Sequence, residues 1–147
     1  MTKEILSRFD AATKEFCDLA RAIPDEKLNL APAPGEWPPA YAINHLADLD
    51  AQFTTRFLNM LVEDNPAIVS FDEERAPLAL DYEHRDAMVS LALIESSAAF
   101  LVDLLNRVDD HAWNRTAVHP AKGKLTMSEL LEVTTNHRVG HLDQIRL

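Results

Sequence analysis

Apolar residues recur at Ile5, Phe9, Ala12, Phe16, Leu19 and Ile23. Steps that alternate between four and three mark the seam of an amphipathic helix. A first helix is therefore predicted from Thr2, a suitable N-cap, to about Ile23. Pro24 ends it, and residues 24–39 hold five of the eight prolines together with Gly35, so they form a loop. Pro38-Pro39 opens a second helix, since proline is tolerated in a first turn. It runs to about Val62 with Leu46, Leu49, Phe53, Phe57 and Met60 on one face. Residues 63–80 carry Pro66, Pro77 and the acidic run Asp72-Glu73-Glu74 without any helical period, and read as a long crossover. A third helix is expected from Asp81, as its N-cap, to about Val108, with the seam Leu91, Ile94, Ala98, Leu101, Leu105 and Val108. Asp109 to Leu125 is a third connection. The last helix has the clearest start: Thr126 and Glu129 suit a capping box, Leu125 and Leu130 a hydrophobic staple, and the helix continues to the C-terminus.

Four long amphipathic helices with no convincing alternating strand predict an all-α fold, a four-helix bundle in one domain over residues 1–147. A crossover of about 18 residues between the second and third helices can carry the chain the length of the bundle, so the topology is not simple up-down-up-down.

Composition narrows the function classes. Apolar residues make up 47% of the chain, too many for a disordered segment. The 24 acidic and 14 basic residues give a net charge of −10, which argues against nucleic acid or an anionic membrane as partner. No uninterrupted apolar run approaches the roughly 20 residues of a membrane span. The start, Met1-Thr2-Lys3-Glu4, lacks a signal-peptide core. Cys17 is the single cysteine, which excludes an internal disulfide and makes a reducing, cytoplasmic setting the expectation. It is a small core filler and not a nucleophile. Trp37 and Trp113 are expected to anchor loops onto the bundle.

The six histidines divide into two sets. His137 and His141 stand one turn apart, about 40° from each other on the last helix and within the arc of Leu130, Thr134 and Ile145. Two imidazoles so placed can converge on one divalent metal at about 2.0–2.1 Å. The same pair also fits hydrogen-bonded histidines at a helix C-terminus, where they favour the macrodipole. His45 lies near the start of the second helix, about 40° from Leu49, and an antiparallel arrangement would bring it to the other two. It is a third ligand or a boundary residue with its tip in water. His84, His111 and His119 fall in polar surroundings; His119 is the best placed, because its loop leads into the last helix.

These residues carry a family resemblance. Gly35-Glu36-Trp37 followed by Ile43-Asn44-His45-Leu46, and Asn136-His137-Arg138-Val139-Gly140-His141-Leu142-Asp143-Gln144-Ile145, resemble the two motifs of the DinB-like superfamily. That superfamily includes the YfiT-type metal-dependent hydrolases and thiol transferases. Arg56 and the run Gly123-Lys124-Leu125-Thr126 are similar to further family positions, and the resemblance spans essentially the whole chain. It implies an up-down-down-up bundle, a homodimer, and a divalent metal such as zinc or nickel held by His45, His137 and His141. One departure stands out: Pro38-Pro39 follow Trp37 where the family has a small polar residue, which changes the cap ahead of His45.

Three neutral imidazoles leave a metal ion its full charge and an open position for water or a substrate atom. Arg138 occupies the position of the glutamate in HExxH enzymes, so hydrolysis lacks an obvious base. Asp48 and Gln144 are weak catalytic candidates, more naturally solvated or supporting residues. Thiol transfer asks less of the protein, because coordination itself deprotonates the thiol. The expectation is thus a divalent-metal-dependent enzyme acting on a small molecule, of thiol-transferase type. A low-molecular-weight thiol would be its co-substrate. The alternatives are a non-catalytic metal- or ligand-binding bundle and a metal-dependent hydrolase.

Overall fold

The computed structural model describes residues 2–146. Four long helices dominate: α1 (Thr2–Ala22), α3 (Pro39–Val62), α5 (Ala87–Leu105) and α6 (Met127–His141). Two single-turn helices, α2 (Asp25–Leu28) and α4 (Ala76–Ala79), sit in the first and second connections. The fold is a four-helix bundle, with α1 against α5 and α6, and α3 against the same two helices.

Side-chain pairs fix the helix directions. Arg8 meets Asn136 and Thr13 meets Arg138, so α1 and α6 run the same way. Ser90 bonds Asn44 and Ser97 bonds Asp50, so α3 and α5 are also parallel. His45 lies beside His141 while Phe53 lies beside His137, which makes α3 and α6 antiparallel. The order is up-down-down-up. Since α3 and α5 point the same way, the chain between them must return along the bundle. A 24-residue helix such as α3 is about 36 Å long, and only a long crossover covers that.

The seams of α1, α3 and α5 are buried as their spacing requires, with Leu19 half-buried. Thr2 stands inside the first turn of α1 and not before it, and the end of the chain at residue 147 lies outside the described residues. Leu142–Gln144 form a 3-10 turn, so the last helix stops short of the C-terminus.

The third helix and the third connection depart further from expectation. The third long helix starts at Ala87, capped by Asp86, whose carboxylate accepts from Met88 N at 2.9 Å. Asp81 is not its cap; it has φ 52°, a left-handed conformation outside any helix. The reason lies one residue on. Tyr82 is buried, its carbonyl accepts from Asn44 Nδ2 and its hydroxyl donates to Asp48, so this backbone is committed to α3 before the helix can begin. The helix ends at Leu105, ahead of Val108.

The third connection also contains a hairpin, β1 (Thr116–His119) with β2 (Gly123–Thr126), antiparallel in the register Thr116↔Thr126. Its three-residue turn closes on Gly123 at φ 72°, the left-handed position glycine fills most readily. Four-residue strands with little alternation give no sequence signal. On its outer side β1 bridges the crossover: Ile68 N donates to Val118 O and Val118 N to Pro66 O. This strap holds the crossover against the bundle.

The core forms two clusters, one around Phe9, Phe53, Phe57 and Leu130, the other around Phe16, Ile43, Leu46 and Leu91. Between them lies a polar layer with one residue from each helix. Asp50 and Arg138 pair through two bonds of 2.6 and 2.7 Å, Arg138 Nε donates to Thr13, and Ser97 donates to Asp50. Asp50 and Arg138 are 2% and 1% exposed.

Candidate metal centre

Each imidazole is delivered by a helix with an identifiable start. α6 opens on the expected capping box, with Glu129 N donating to Thr126 Oγ1 and Thr126 N to Glu129 Oε2. Its His137 and His141 then fall on the face turned toward α3. α3 starts at Pro39 with Pro38 as its cap. The two prolines do not displace His45, which points at the same spot from the facing helix. His45 Nε2 lies 3.3 Å from His137 Nε2, and His141 Nε2 lies 3.1 Å from it. One ligand atom from each of the three lies within 4.8 Å of the others.

The electrostatics suit a cation. Burial holds the His45 imidazole down at about 4, with the neighbouring His141 adding to the effect. Burial likewise holds His137 at about 3, followed by the charges of His141, His45 and Arg138. Both rings are therefore neutral at physiological pH, the form that donates a lone pair. His141 Nδ1 is bonded to Gln144 Oε1 at 2.5 Å, which places the proton on Nδ1 and leaves Nε2 free. Nitrogens bound tetrahedrally to one ion at 2.0–2.1 Å stand about 3.3 Å apart, close to the spacings found here. The donor set fits a divalent metal.

A carboxylate completes the group. Glu73 Oε1 is 3.4 Å from His45 Nε2 and 3.9 Å from His137 Nε2. Glu73 comes from the crossover, and its position is built locally: the Asp72 carboxylate accepts from the backbone N–H of Glu74 and of Arg75, both at 3.1 Å. Such a turn is what aspartate forms with its own backbone. The strap to β1 and a bond from Arg56 to Val69 O secure the preceding residues. The acidic run Asp72-Glu73-Glu74 is thus not wholly a solvated stretch.

Two recesses open onto the imidazoles, one at His137 and one at His141. One, of about 480 Å³, includes His137, Glu73, Phe53 and Arg56 in its lining. The other, of about 630 Å³, includes His141, Trp37, Gln144 and Arg146.

The family model described as the DinB superfamily matches residues 8–145. The chain belongs to the DinB superfamily. Among its DinB relatives, YfiT of Bacillus subtilis is 25% identical over 146 residues, covering 97% of this chain and 80% of YfiT. A protein of Geobacillus thermodenitrificans is 29% identical over 147 residues, covering 97% of this chain and 83% of its own. Both are provisionally named metal-dependent hydrolases. The solved YfiT structure superposes with a TM-score of 0.88 at 24% identity, over 98% of this chain and 83% of that one. The mycothiol-dependent maleylpyruvate isomerase shares the fold at a TM-score of 0.79 and 17% identity, over 99% of this chain and 60% of the isomerase.

Within this DinB bundle the remaining candidates find other places. Asp48 accepts from the Tyr82 hydroxyl at 2.8 Å and pairs with Arg85 at 3.0 Å, so it is engaged away from the three Nε2 atoms. Gln144 acts on the far nitrogen of His141 and orients that ring. Trp37 packs its ring edge against His45, with centroids 5.2 Å apart, and lines the second recess; it is anchor and wall together. Trp113 packs against the core cluster of Phe9 and Leu130. Cys17 is buried, and burial pushes its thiol up to about 11. His84 is exposed and held by Asp81, and His111 lies in the 3-10 turn Asp110–Asn114. His119 lines the recess beside His137.

Asp50, Arg138 and Glu73 were not anticipated at the centre. The first two had a visible signal. Leu46, Asp50, Phe53, Phe57 and Met60 continue the alternation of four and three, so Asp50 is a charge on the buried seam. Arg138 follows Leu131 by seven residues on the same stripe. Glu73 had none, because its position depends on how the crossover folds back.

Proposed function

We propose that this protein is a divalent-metal-dependent enzyme that transfers a small thiol to an electrophilic acceptor at the centre formed by His45, His137 and His141. The observation that carries it is the convergence of three imidazoles, His45 and His141 each placing Nε2 within 3.1–3.3 Å of His137 Nε2, with burial keeping His45 and His137 neutral. Zinc or nickel suits such a nitrogen set. When bound, the ion supplies a Lewis acid that brings a thiol or water toward deprotonation near neutral pH. The chain provides the rest. Gln144 and the packing of Trp37 fix the ring orientations. Glu73 accepts the thiol proton as the sulfur forms its bond to the acceptor carbon, and the leaving group departs with the bonding pair. The two recesses support a two-substrate reaction, one molecule approaching past His137 and the other past His141. Because Cys17 is buried with a raised pKa, the sulfur comes from the co-substrate.

Glu73 also favours a second reading. A carboxylate beside the centre is the base that hydrolysis needs, and it stands in place of the glutamate that Arg138 replaces in the HExxH pattern. Tag-free protein loaded with zinc or nickel would be assayed with glutathione, bacillithiol or mycothiol and an electrophilic acceptor. Thioether formation that disappears on chelation and in His137→Ala is expected. Product release without thiol would establish the hydrolase, and saturable metal binding without turnover a binding module.

A further inference from the structure

We propose that the recess beside His137 binds a small, partly apolar molecule by an anionic group held between Arg56 and Lys122. The inference gives the acceptor of the proposed transfer a chemical class and rests on that reading of the histidine centre.

The recess has the size of a small-molecule site. Phe53, Phe71, Leu125 and Val133 supply apolar walls. Arg56 and Lys122 also line it, against a single carboxylate, Glu73. On a chain of net charge −10 this is a local reversal of sign. Glu73 is turned to the imidazoles, at 3.4 and 3.9 Å from two of their nitrogens. Among the described residues no carboxylate forms a salt bridge with Arg56 or Lys122. The charge of Glu73 reaches Arg56 without forming a salt bridge, so the guanidinium keeps donors for a ligand, as does the Lys122 ammonium.

The Arg56 guanidinium and the backbone of Lys122 are held in place. The Arg56 guanidinium lies 5.3 Å over the Phe53 ring and donates one bond to Val69 O, while its buried Nε has no partner. A guanidinium with donors to spare and a fixed plane suits a carboxylate. Lys122 sits on the hairpin turn, which His119 closes by accepting at Nδ1 from Ala121 N and Lys122 N, each at 3.0 Å. The charges of Arg56 and Lys122 both reach this imidazole, which burial first, and then these two cations, keep below its usual pKa. Two positive fields therefore overlap at the wall of the recess that also carries His137. An apolar body against Phe53 and Leu125 would then lie next to the metal centre.

The test is titration calorimetry with phenylacetate and with phenylacetamide, its uncharged counterpart. It is run on zinc-loaded protein and on the same protein after chelation, with circular dichroism confirming the fold. In both forms phenylacetate is expected to bind about tenfold or more tightly than the amide, since a charge-assisted bond is worth that much. Arg56→Gln and Lys122→Gln should each cost about tenfold, while Lys124→Gln, the same charge change outside the recess, should not. Equal binding of acid and amide overturns the proposal. So does a preference that needs zinc and survives Arg56→Gln, because the anion would then sit on the metal. A preference that follows Arg56 in a protein that takes up neither zinc nor nickel upholds this site and refutes the proposed enzyme.

Discussion

Replacing Asp50 by Ala should be among the most damaging substitutions in the chain. Its carboxylate makes two bonds to Arg138, at 2.6 and 2.7 Å, and both side chains are removed from water. Removing Asp50 leaves the guanidinium in the middle of the bundle with Thr13 and the Phe9 ring, 4.3 Å away, as its remaining company. Breaking one side of a buried pair costs about 3–5 kcal/mol, against about 0.2–1 kcal/mol for an exposed pair such as Lys14–Asp10. On a domain stable by about 5–15 kcal/mol, that is a large share of the total. Urea unfolding followed by circular dichroism measures it. The double replacement Asp50→Leu with Arg138→Met should restore most of the loss, because a buried pair exchanged for apolar side chains of similar volume is often neutral or better. The pair also links α3, five residues after His45, to the turn of α6 that carries His137 and His141, so it fixes their register. The double variant should therefore bind zinc more weakly than wild type despite its recovered stability. A single-variant loss below about 1 kcal/mol, or a double variant as unstable as the single, would refute this account.

Thr126→Ala, which removes half of the capping box on α6, should cost about 1 kcal/mol in urea unfolding with little change in slope. Gln144→Leu should lower zinc affinity by about 10–100-fold in a competition assay with a chromophoric chelator, while leaving stability nearly unchanged. Cys17 should resist a thiol reagent at pH 8 in the folded protein and react fully in urea. Because folding raises its pKa from 9.0 to about 11, the folded state also loses stability as pH rises past 9, where only the unfolded thiol ionises. Prompt labelling of the native protein would contradict the burial.

The bundle was legible because its helices announce themselves through spacing. The alternating seam of α1, the Pro-rich stop after Ile23 and the Thr126–Glu129 box are local signals, and local signals survive folding unchanged. The histidines were legible for a related reason: residues 137 and 141 share a helix face whatever surrounds them, and an antiparallel neighbour brings His45 to meet them. What stayed hidden depends on contacts distant in sequence. Asp86 displaces Asp81 as a cap because Tyr82 is bound to α3 through Asn44 and Asp48. The hairpin exists because its strands gain each other and the crossover at Ala67. Glu73 reaches the imidazoles because that same crossover is strapped down. Asp50 and Arg138 form an intermediate case, two charges written on apolar seams whose meaning lies in their pairing.

Anomalous diffraction from crystals of tag-free protein tests the central claim most directly. The account predicts one zinc or nickel peak per chain, bonded to Nε2 of His45, His137 and His141 at about 2.0–2.1 Å and absent from His137→Ala. Protein supplied with both metals that shows no peak between these three nitrogens would contradict it.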